Sequence, residues 1–394
     1  MDVSHLLRGS PPEIQLLLLQ SRVGQFSDQV YTYDILVVLD TAVSTPCTHF
    51  LAFQALVVIG GGRLHRMRIT FNHLYNDIIL LENLLLAWKE FKKGKKSRID
   101  VQIFERNLMS NILSLHQDLT TKVYKHGDYF AFNISDPKPR NIHKASVRDR
   151  LLHHAIYRIM YPFFDKTFIA DSYSCRVNKG THRALRRFEY FARKVSKNHT
   201  KTCWVLKCDI RKFFASIDQK ILLDILESYI SDTDIVWLLT TVIQSFHSTE
   251  VGKGLPLGNL TSQLFVNIYM NEFDQFVKNG LKAKYYIRYA DDFVILSTDR
   301  NELEIMRQKV EDFLTERLKL LLHPNKVSIE TFASGIDFLG WVHFPKHRVL
   351  RTATKKKMFG RVSEKNVTSY LGLLSHGNAY ELSEDLKRRL PNDS

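Results

Sequence analysis

The run Tyr285-Tyr286-Ile287-Arg288-Tyr289-Ala290-Asp291-Asp292-Phe293-Val294-Ile295-Leu296 decides the fold. Two apolar stretches, residues 285–288 and 293–296, flank the link Tyr289-Ala290-Asp291-Asp292. That pattern reads as a hairpin with acids at its turn. Adjacent carboxylates repel, so the pair is costly unless a cation sits there. A third acid ends another apolar run, Trp204-Val205-Leu206-Lys207-Cys208-Asp209-Ile210, which reads as a buried strand. Three acids on neighbouring strand ends make a hard-oxygen site suited to Mg²⁺. Two such ions, about 4 Å apart, can activate a hydroxyl and stabilise a leaving pyrophosphate. The competing account of an Asp-Asp pair is a solvated turn. The strand-ending Asp209, the apolar flanks, the preceding tyrosine and the basic surroundings weigh against it.

Working outward, residues 221–229 and 260–277 read as helices, the second with Leu264, Ile268 and Phe273 inward. Residues 302–318 form an amphipathic helix and 338–344 a short strand. The order strand, helix, hairpin, helix, strand suits an α+β fold, an antiparallel sheet with helices on one face. Upstream, Phe71, Leu74, Ile78, Leu81, Leu85 and Trp88 recur at helical spacing, as do Phe104, Leu108 and Ile112. Between them, Lys92-Lys93-Gly94-Lys95-Lys96 is a basic connector, either a solvated loop or a nucleic-acid contact. Residues 126–146 read as extended, because Pro137 and Pro139 oppose helix. A helix over 148–164 ends near Pro162, and another spans 181–195.

The net charge is +15 over 394 residues. A soluble enzyme this basic usually meets a polyanion. The charge belongs to the body of the chain: residues 1–66 carry four arginines against five acids. Those 66 residues are apolar, end in Gly60-Gly61-Gly62 and lack the Lys-rich texture that starts at Met67. Two readings follow: translation naturally starts at Met67 and residues 1–66 are not native, or they form a small extra domain. Cys47, Cys175, Cys203 and Cys208 have no C-x-x-C or Cys/His zinc spacing, which fits reduced thiols in a cytoplasmic protein. No apolar run is long enough to predict a membrane span, and no signal peptide opens the chain.

Tyr289-Ala290-Asp291-Asp292 resembles the Y-x-D-D signature of reverse transcriptases, and Asp209-Ile210-Arg211-Lys212-Phe213-Phe214 resembles that family's first acid motif. The resemblance implies a right-hand polymerase with fingers, palm and a small helical thumb. It implies that Asp209 and Asp291 hold both metal ions, with the Ile210 carbonyl helping and Asp292 the less essential partner. The ions would be Mg²⁺, with Mn²⁺ a substitute. Phe214 matches the aromatic gate that rejects a ribose 2′-hydroxyl. Lys138-Pro139-Arg140 resembles a fingers motif of the group II intron-like branch, in which Arg140, with Lys138 behind it, clamps the triphosphate. Arginine suits this through its planar fork. Lys326, in His323-Pro324-Asn325-Lys326, resembles the lysine that protonates pyrophosphate. Phe338-Leu339-Gly340-Trp341 resembles the primer grip, where glycine permits close backbone approach.

Leu257-Gly258-Asn259-Leu260-Thr261-Ser262-Gln263 stands where most reverse transcriptases have Q-G-x-x-x-S-P beneath the templating base pair. Leu257 replaces Gln and Gln263 replaces Pro. That departure, with Arg148-Asp149-Arg150-Leu151-Leu152-His153-His154 and Asp171-Ser172-Tyr173-Ser174-Cys175-Arg176, is similar to reverse transcriptases of diversity-generating retroelements. The resemblance implies a bacterial or phage-encoded enzyme that copies a template-repeat RNA into cDNA from a primer and dNTPs. It further implies errors at template adenines and a small basic helical accessory protein as partner. The rival readings are a retron, intron-derived or phage-defence reverse transcriptase, or an inactive RNA-binding relative. The expected organisation is an extension over 1–66, a helical region over 67–125, fingers and palm over 126–345, and a short thumb or tail over 346–394.

Overall fold

The computed structural model describes residues 70–135 and 139–388, together with the backbone of six strands between Ile14 and Arg66. The chain divides into two compact units, Met1–Phe71 and Asn72–Ser394. In the first, β1 (Ile14–Leu18), β4 (Ile35–Asp40), β5 (Ala55–Ile59) and β6 (Arg63–Arg66) form an antiparallel sheet in that order, and β2 (Arg22–Phe26) pairs with β3 (Gln29–Tyr33). Met67 and Lys138 lie outside the described residues.

The second unit opens with four helices, α1 (Tyr75–Ile79), α2 (Leu81–Phe91), α3 (Ile99–Arg106) and α4 (Leu108–Thr120). The expected single periodicity through residues 71–88 breaks at Leu80, whose extended ψ of 132° ends α1 and begins α2. The phase therefore shifts. Leu84, Ala87, Trp88 and Phe91 are buried, while Leu74 and Leu85 are exposed. That buried stripe packs on α5 (Val147–Thr167). Ahead of α5, β7 (Phe130–Ile134) and β8 (Arg140–Lys144) form the extended segment as a hairpin. α5 does not end at Pro162 but runs through it. An internal proline costs about 3 kcal/mol. Burial of Leu151, Leu152, Ala155, Ile156, Met160 and Phe164 along one helix outweighs it.

After α6 (Thr181–Val195) comes the central sheet. β9 (Trp204–Asp209) leads into α7 (Phe213–Ser216), α8 (Gln219–Glu227), α9 (Thr233–Gln244) and α10 (Leu260–Gln275), which passes into a π-helical turn at Phe276–Gly280. The hairpin β10 (Tyr286–Tyr289) and β11 (Asp292–Ser297) follows, then α11 (Arg300–Leu318) and β12 (Ser328–Thr331). The strand order is β10-β11-β9-β12, all antiparallel. Alternation sorts its faces. Phe293 meets Phe273 of α10 at 5.0 Å, on the expected helical side with α11. Val205, Ile287, Val294 and Leu296 join a second cluster with Ala184, Leu185 and Phe188, so α6 covers part of the other face.

The described residues close with a small sheet, β13 (Ile336–Phe338), β14 (Trp341–His343) and β15 (Arg348–Leu350), and three helices, α12 (Thr352–Arg361), α13 (Val367–Leu374) and α14 (Tyr380–Arg388). Met358, Leu374 and Leu386 enter the same cluster as Phe338, Trp341 and the central sheet.

One polar group lies at the middle of this apolar packing. Arg288 of β10 and Asp274 of α10 are both fully buried. Arg288 donates from Nε and Nη2 to Asp274 at 2.7 Å each, and Tyr286 donates to the same carboxylate at 2.7 Å. Arg288 also reaches Ser172 Oγ at 3.1 Å and the Ala290 carbonyl at 3.1 Å. Removing one member of a buried pair leaves the other charge stranded. Arg288→Met is expected to lower the free energy of unfolding by about 3–5 kcal/mol, and adding Asp274→Leu to recover most of it. Urea midpoints at constant slope measure both; an unchanged midpoint for Arg288→Met would show that the pair does not hold the fold.

Candidate active site

The hairpin turn is built on strain held from below. Tyr289 opposes Asp292, leaving Ala290 and Asp291 as the two turn residues. Ala290 takes a left-handed φ of +56°, which costs an L residue roughly 1–2 kcal/mol. The hydrogen bond from Arg288 to the Ala290 carbonyl pins that conformation. The antiparallel register then sets Asp292 directly opposite Asp209. Like charges in that position destabilise a sheet. The Asp291 carbonyl accepts from the Ile210 N–H at 3.3 Å, joining the turn to the end of β9. Ile210 itself is buried.

The electrostatics carry the signature of that crowding. Burial first, then the charges of Asp291 and Asp209, push the Asp292 carboxyl up to about 6. Burial and Asp209 raise Asp291 as well, and the charges of Lys326 and Arg140 pull it back in part. Lys326 Nζ sits 2.9 Å from each oxygen of Asp209. It reaches that place because the His323 N–H donates to the Asp209 carbonyl at 2.7 Å and the Lys326 N–H to the His323 carbonyl at 3.1 Å. Among the described residues, no three acid, imidazole or thiol side chains converge closely enough to hold an ion as placed. The fold brings the three aspartates to adjoining strand ends, with one of them engaged by an ammonium.

The other expected residues fall into separate groups, of which Arg140 is close enough for its charge to act on Asp291. Phe214 is half-buried beside buried Phe213, their rings 5.6 Å apart and edge to face. It is not in the core, which leaves one side of its ring available. Arg140 opens β8 and is exposed. β8 is tied to the Gly258 loop: the His143 N–H donates to the Leu257 carbonyl at 3.0 Å, and Asn259 Nδ2 to the His143 carbonyl at 2.9 Å. Gly258 has a φ of +110°, and a Cβ there would stand 2.8 Å from Ile142 Cγ2. Any other residue there would carry the strain of that φ and push the Ile142 side chain aside. Ser262 is buried and Gln263 half-buried in the first turn of α10. Tyr289 is half-buried and accepts from Thr181 Oγ1 at 3.1 Å.

Phe338 opposes Trp341, so Leu339 and Gly340 form a two-residue turn with φ of +50° and +89°. Two positive φ values mark a turn whose twist matches its strands. Phe338 is buried, and Tyr289 and Leu339 pack against the same cluster. What sequence reasoning missed is Arg288, Asp274 and Ser172 as a unit. The available signal was a lone arginine inside an apolar strand run.

The pattern of the family described as reverse transcriptase (RNA-dependent DNA polymerase) matches residues 125–343, more than half of the chain. The chain therefore belongs to the reverse transcriptase family, and its fold is that of a right-hand polymerase. Members of this family are RNA-directed DNA polymerases that use divalent metal ions. Protein YkfC of Escherichia coli strain K12 is 27% identical over 58% of this chain and 67% of its own length. The group II intron-encoded protein LtrA of Lactococcus lactis subsp. cremoris is 21% identical over 60% of this chain and 49% of its own. The retron Ec83 reverse transcriptase of Escherichia coli is 26% identical over 46% of this chain and 58% of its own. The chain thus spans 49% to 67% of these relatives. No helix among the described residues is long and apolar enough to cross a membrane.

The raised Asp292 has a consequence for the metal-free protein. Its folded carboxyl holds a proton more tightly than the unfolded one. The penalty is therefore full above about pH 6 and fades as pH falls towards the unfolded value near 4. With a chelator present, Asp292→Asn is expected to be more stable than wild type by about 2–3 kcal/mol at pH 7.5. The gap narrows by pH 4.5. Urea midpoints at the two pH values check it, and a gap independent of pH would exclude the mechanism.

Proposed function

We propose that this chain copies RNA into cDNA by metal-assisted nucleotidyl transfer at Asp209, Asp291 and Asp292. The observation that carries this reading is the cross-strand pairing of Asp209 with Asp292, with Asp291 at the turn between them and the neighbouring strand. The donor set fits divalent cations in kind: hard carboxylate oxygens, with Asp291 and Asp292 raised by burial first and by neighbouring carboxylate charge second. Asp209, Asp291, Asp292 and the Ile210 carbonyl would hold two Mg²⁺, with Mn²⁺ able to substitute. Such ions, when bound, polarise the attacking primer 3′-hydroxyl and the leaving pyrophosphate.

The chain's own groups do the rest. Arg140, backed by Lys138, clamps the triphosphate of the incoming dNTP. Phe214 offers its ring edge to the sugar and excludes a 2′-hydroxyl. Lys326, already within reach of the metal acids, delivers a proton to pyrophosphate. The Leu339-Gly340 turn with Phe338 holds the primer end, and Tyr289 supports it from the same cluster. Gly258, Ser262 and Gln263 lie under the nascent pair with the template RNA above. In domain terms, residues 1–66 are an extension, 67–125 a helical region, 126–345 fingers and palm, and 346–394 a thumb. The +15 charge favours a polyanionic template.

Within the family, we assign the chain to the diversity-generating branch, copying a template-repeat RNA with errors at adenines and working with a small basic helical partner. The Leu257 and Gln263 departures support this. The names of the relatives speak of introns and a retron, which keeps those classes as the alternative. Primer extension on RNA with Mg²⁺ tests the activity: Asp291→Asn is expected to lose at least about a thousandfold in rate, and equal rates would remove the assignment. Sequencing of cDNA tests the branch. Gln263→Pro with Leu257→Gln is expected to lower misincorporation at template adenines, since it restores the residues that most reverse transcriptases carry at these two positions. Unchanged adenine errors would return the chain to the retron or intron classes.

A further inference from the structure

Helix α6 runs the length of the central sheet. Its first residue, Thr181, donates to the Tyr289 hydroxyl at 3.1 Å, on the strand that leads to the aspartates. Its last turn shares a cavity with Tyr285, Ile295 and Ser297, at the other end of β10 and β11. Its 15 residues cover roughly 22 Å. A surface at the far end of α6 therefore stands apart from the three aspartates.

That far end is basic and divided in two. One cavity, of about 300 Å³, has Lys194, Lys197, Lys282 and Lys284 in its wall. Its acid, Glu302, accepts from the Ser297 hydroxyl. The other, of about 460 Å³, has Arg193, Lys346, His347 and Arg348. Its acid, Glu189, accepts from Arg348 at 2.9 Å. Among the described residues, none of Arg193, Lys194, Lys197, Lys282, Lys284 and Lys346 pairs with a carboxylate. Cations in the last turn of a helix suit its dipole, which accounts for Arg193 and Lys194. It does not account for Lys282, Lys284 or Lys346, which come from other parts of the chain.

A turn joins the two cavities. Lys197, Asn198 and His199 have left-handed φ of 48°, 58° and 68° in succession, a conformation that L residues avoid. Three hydrogen bonds hold it: the Asn198 N–H to the Arg193 carbonyl at 2.8 Å, the His199 N–H to Ser196 Oγ at 2.9 Å, and the Lys201 N–H to the Ser196 carbonyl at 2.8 Å. The turn puts Lys197 in one cavity and His199 in the other. Strain kept at the surface points to a use for the geometry other than stability.

We propose that this end of the central sheet docks the backbone of a base-paired RNA segment, outside the stretch being copied. The two cavities offer cations to phosphates on either side of the end of α6. Tyr190, 48% exposed with Lys194 Nζ 5.6 Å from its ring, and Thr298 add hydroxyls among the cations. These suit the 2′-hydroxyls that RNA has and DNA lacks. A membrane fits poorly, because α6 exposes no large aliphatic side chain to bury in it. The choice of RNA as the polyanion rests on the polymerase reading.

The test uses the full chain without nucleotides. A blunt RNA hairpin, which offers no overhang to copy, is titrated by fluorescence anisotropy over a range of salt concentrations. The titration is repeated with the double variant Lys284→Glu and Lys346→Glu, one exposed residue from each cavity. The Kd is expected to rise at least about tenfold, and the slope of log Kd against log salt to fall by about two. An unchanged urea midpoint shows that the variant is folded. A DNA hairpin of the same sequence is expected to bind more weakly than the RNA. Three results each overturn the proposal: an unchanged Kd in the folded variant, equal binding of the DNA hairpin, or displacement of the RNA by polyglutamate at matched charge. Primer extension on a short unpaired template scores the polymerase reading separately. It is expected to be unchanged in the double variant, so the two can fail independently.

Discussion

The Arg288–Asp274 pair is the constraint on which the catalytic end of the sheet depends. A fully buried guanidinium is tolerable only if its donors are answered. Here the answers come from three different places: α10 through Asp274 and Asn267, the segment after α5 through Ser172, and the turn through Ala290, while Tyr286 of the same strand donates to the shared Asp274 carboxylate. The backbone repeats the theme, with the Arg288 N–H donating to the Asp171 carbonyl and its own carbonyl accepting from Tyr173. A change in any of these elements therefore moves the turn that presents Asp291. Burial of a charge is weak support for stability, but it is strong support for one geometry over its neighbours. The left-handed Ala290 shows what that geometry must hold in place.

That rigidity explains why repulsion can be stored beside it. Asp209 and Asp292 are held opposite each other by register, not by attraction. In a softer turn they would swing apart. Here Asp292 responds by a raised pKa, and Asp209 by recruiting Lys326 across 117 residues of sequence. An ammonium on the acid that a cation would otherwise neutralise keeps the site compact before metal and substrate arrive. The two roles given to Lys326, partner of Asp209 and proton donor to pyrophosphate, are compatible because both need the same reach.

Much of the centre was legible in sequence because it is local. A strand that ends in Asp209 and a hairpin with acids at the turn are patterns of fewer than a dozen residues, and both stand where expected. The expected single strand over 338–344 is instead broken at Leu339-Gly340, the turn between β13 and β14. What escaped was either phase or distance. Leu80 shifted the helical register over one residue, which no periodicity count detects. Pro162 was read as a stop because propensity is local, whereas the six buried positions that carry α5 through it belong to tertiary packing. Arg288 and Asp274 are only 14 residues apart, yet their pairing depends on β10 lying against α10, which the sequence does not state.

The last helices bear on the turn proposed to hold the primer end. Leu374, Ala379 and Leu386 are buried in one cluster with Phe338, Trp341, Val205 and Ile287. Gly377 lies so close to Trp341 that a Cβ there would overlap the indole ring. Trp341 in turn opposes Phe338 across the grip turn. The last helices are thus packed on the underside of the turn itself and not tethered to it by a linker. Through that shared core these helices set the position of the Leu339-Gly340 turn relative to the central sheet. The apolar contacts that fold these last helices are thus the contacts that position the Leu339-Gly340 turn.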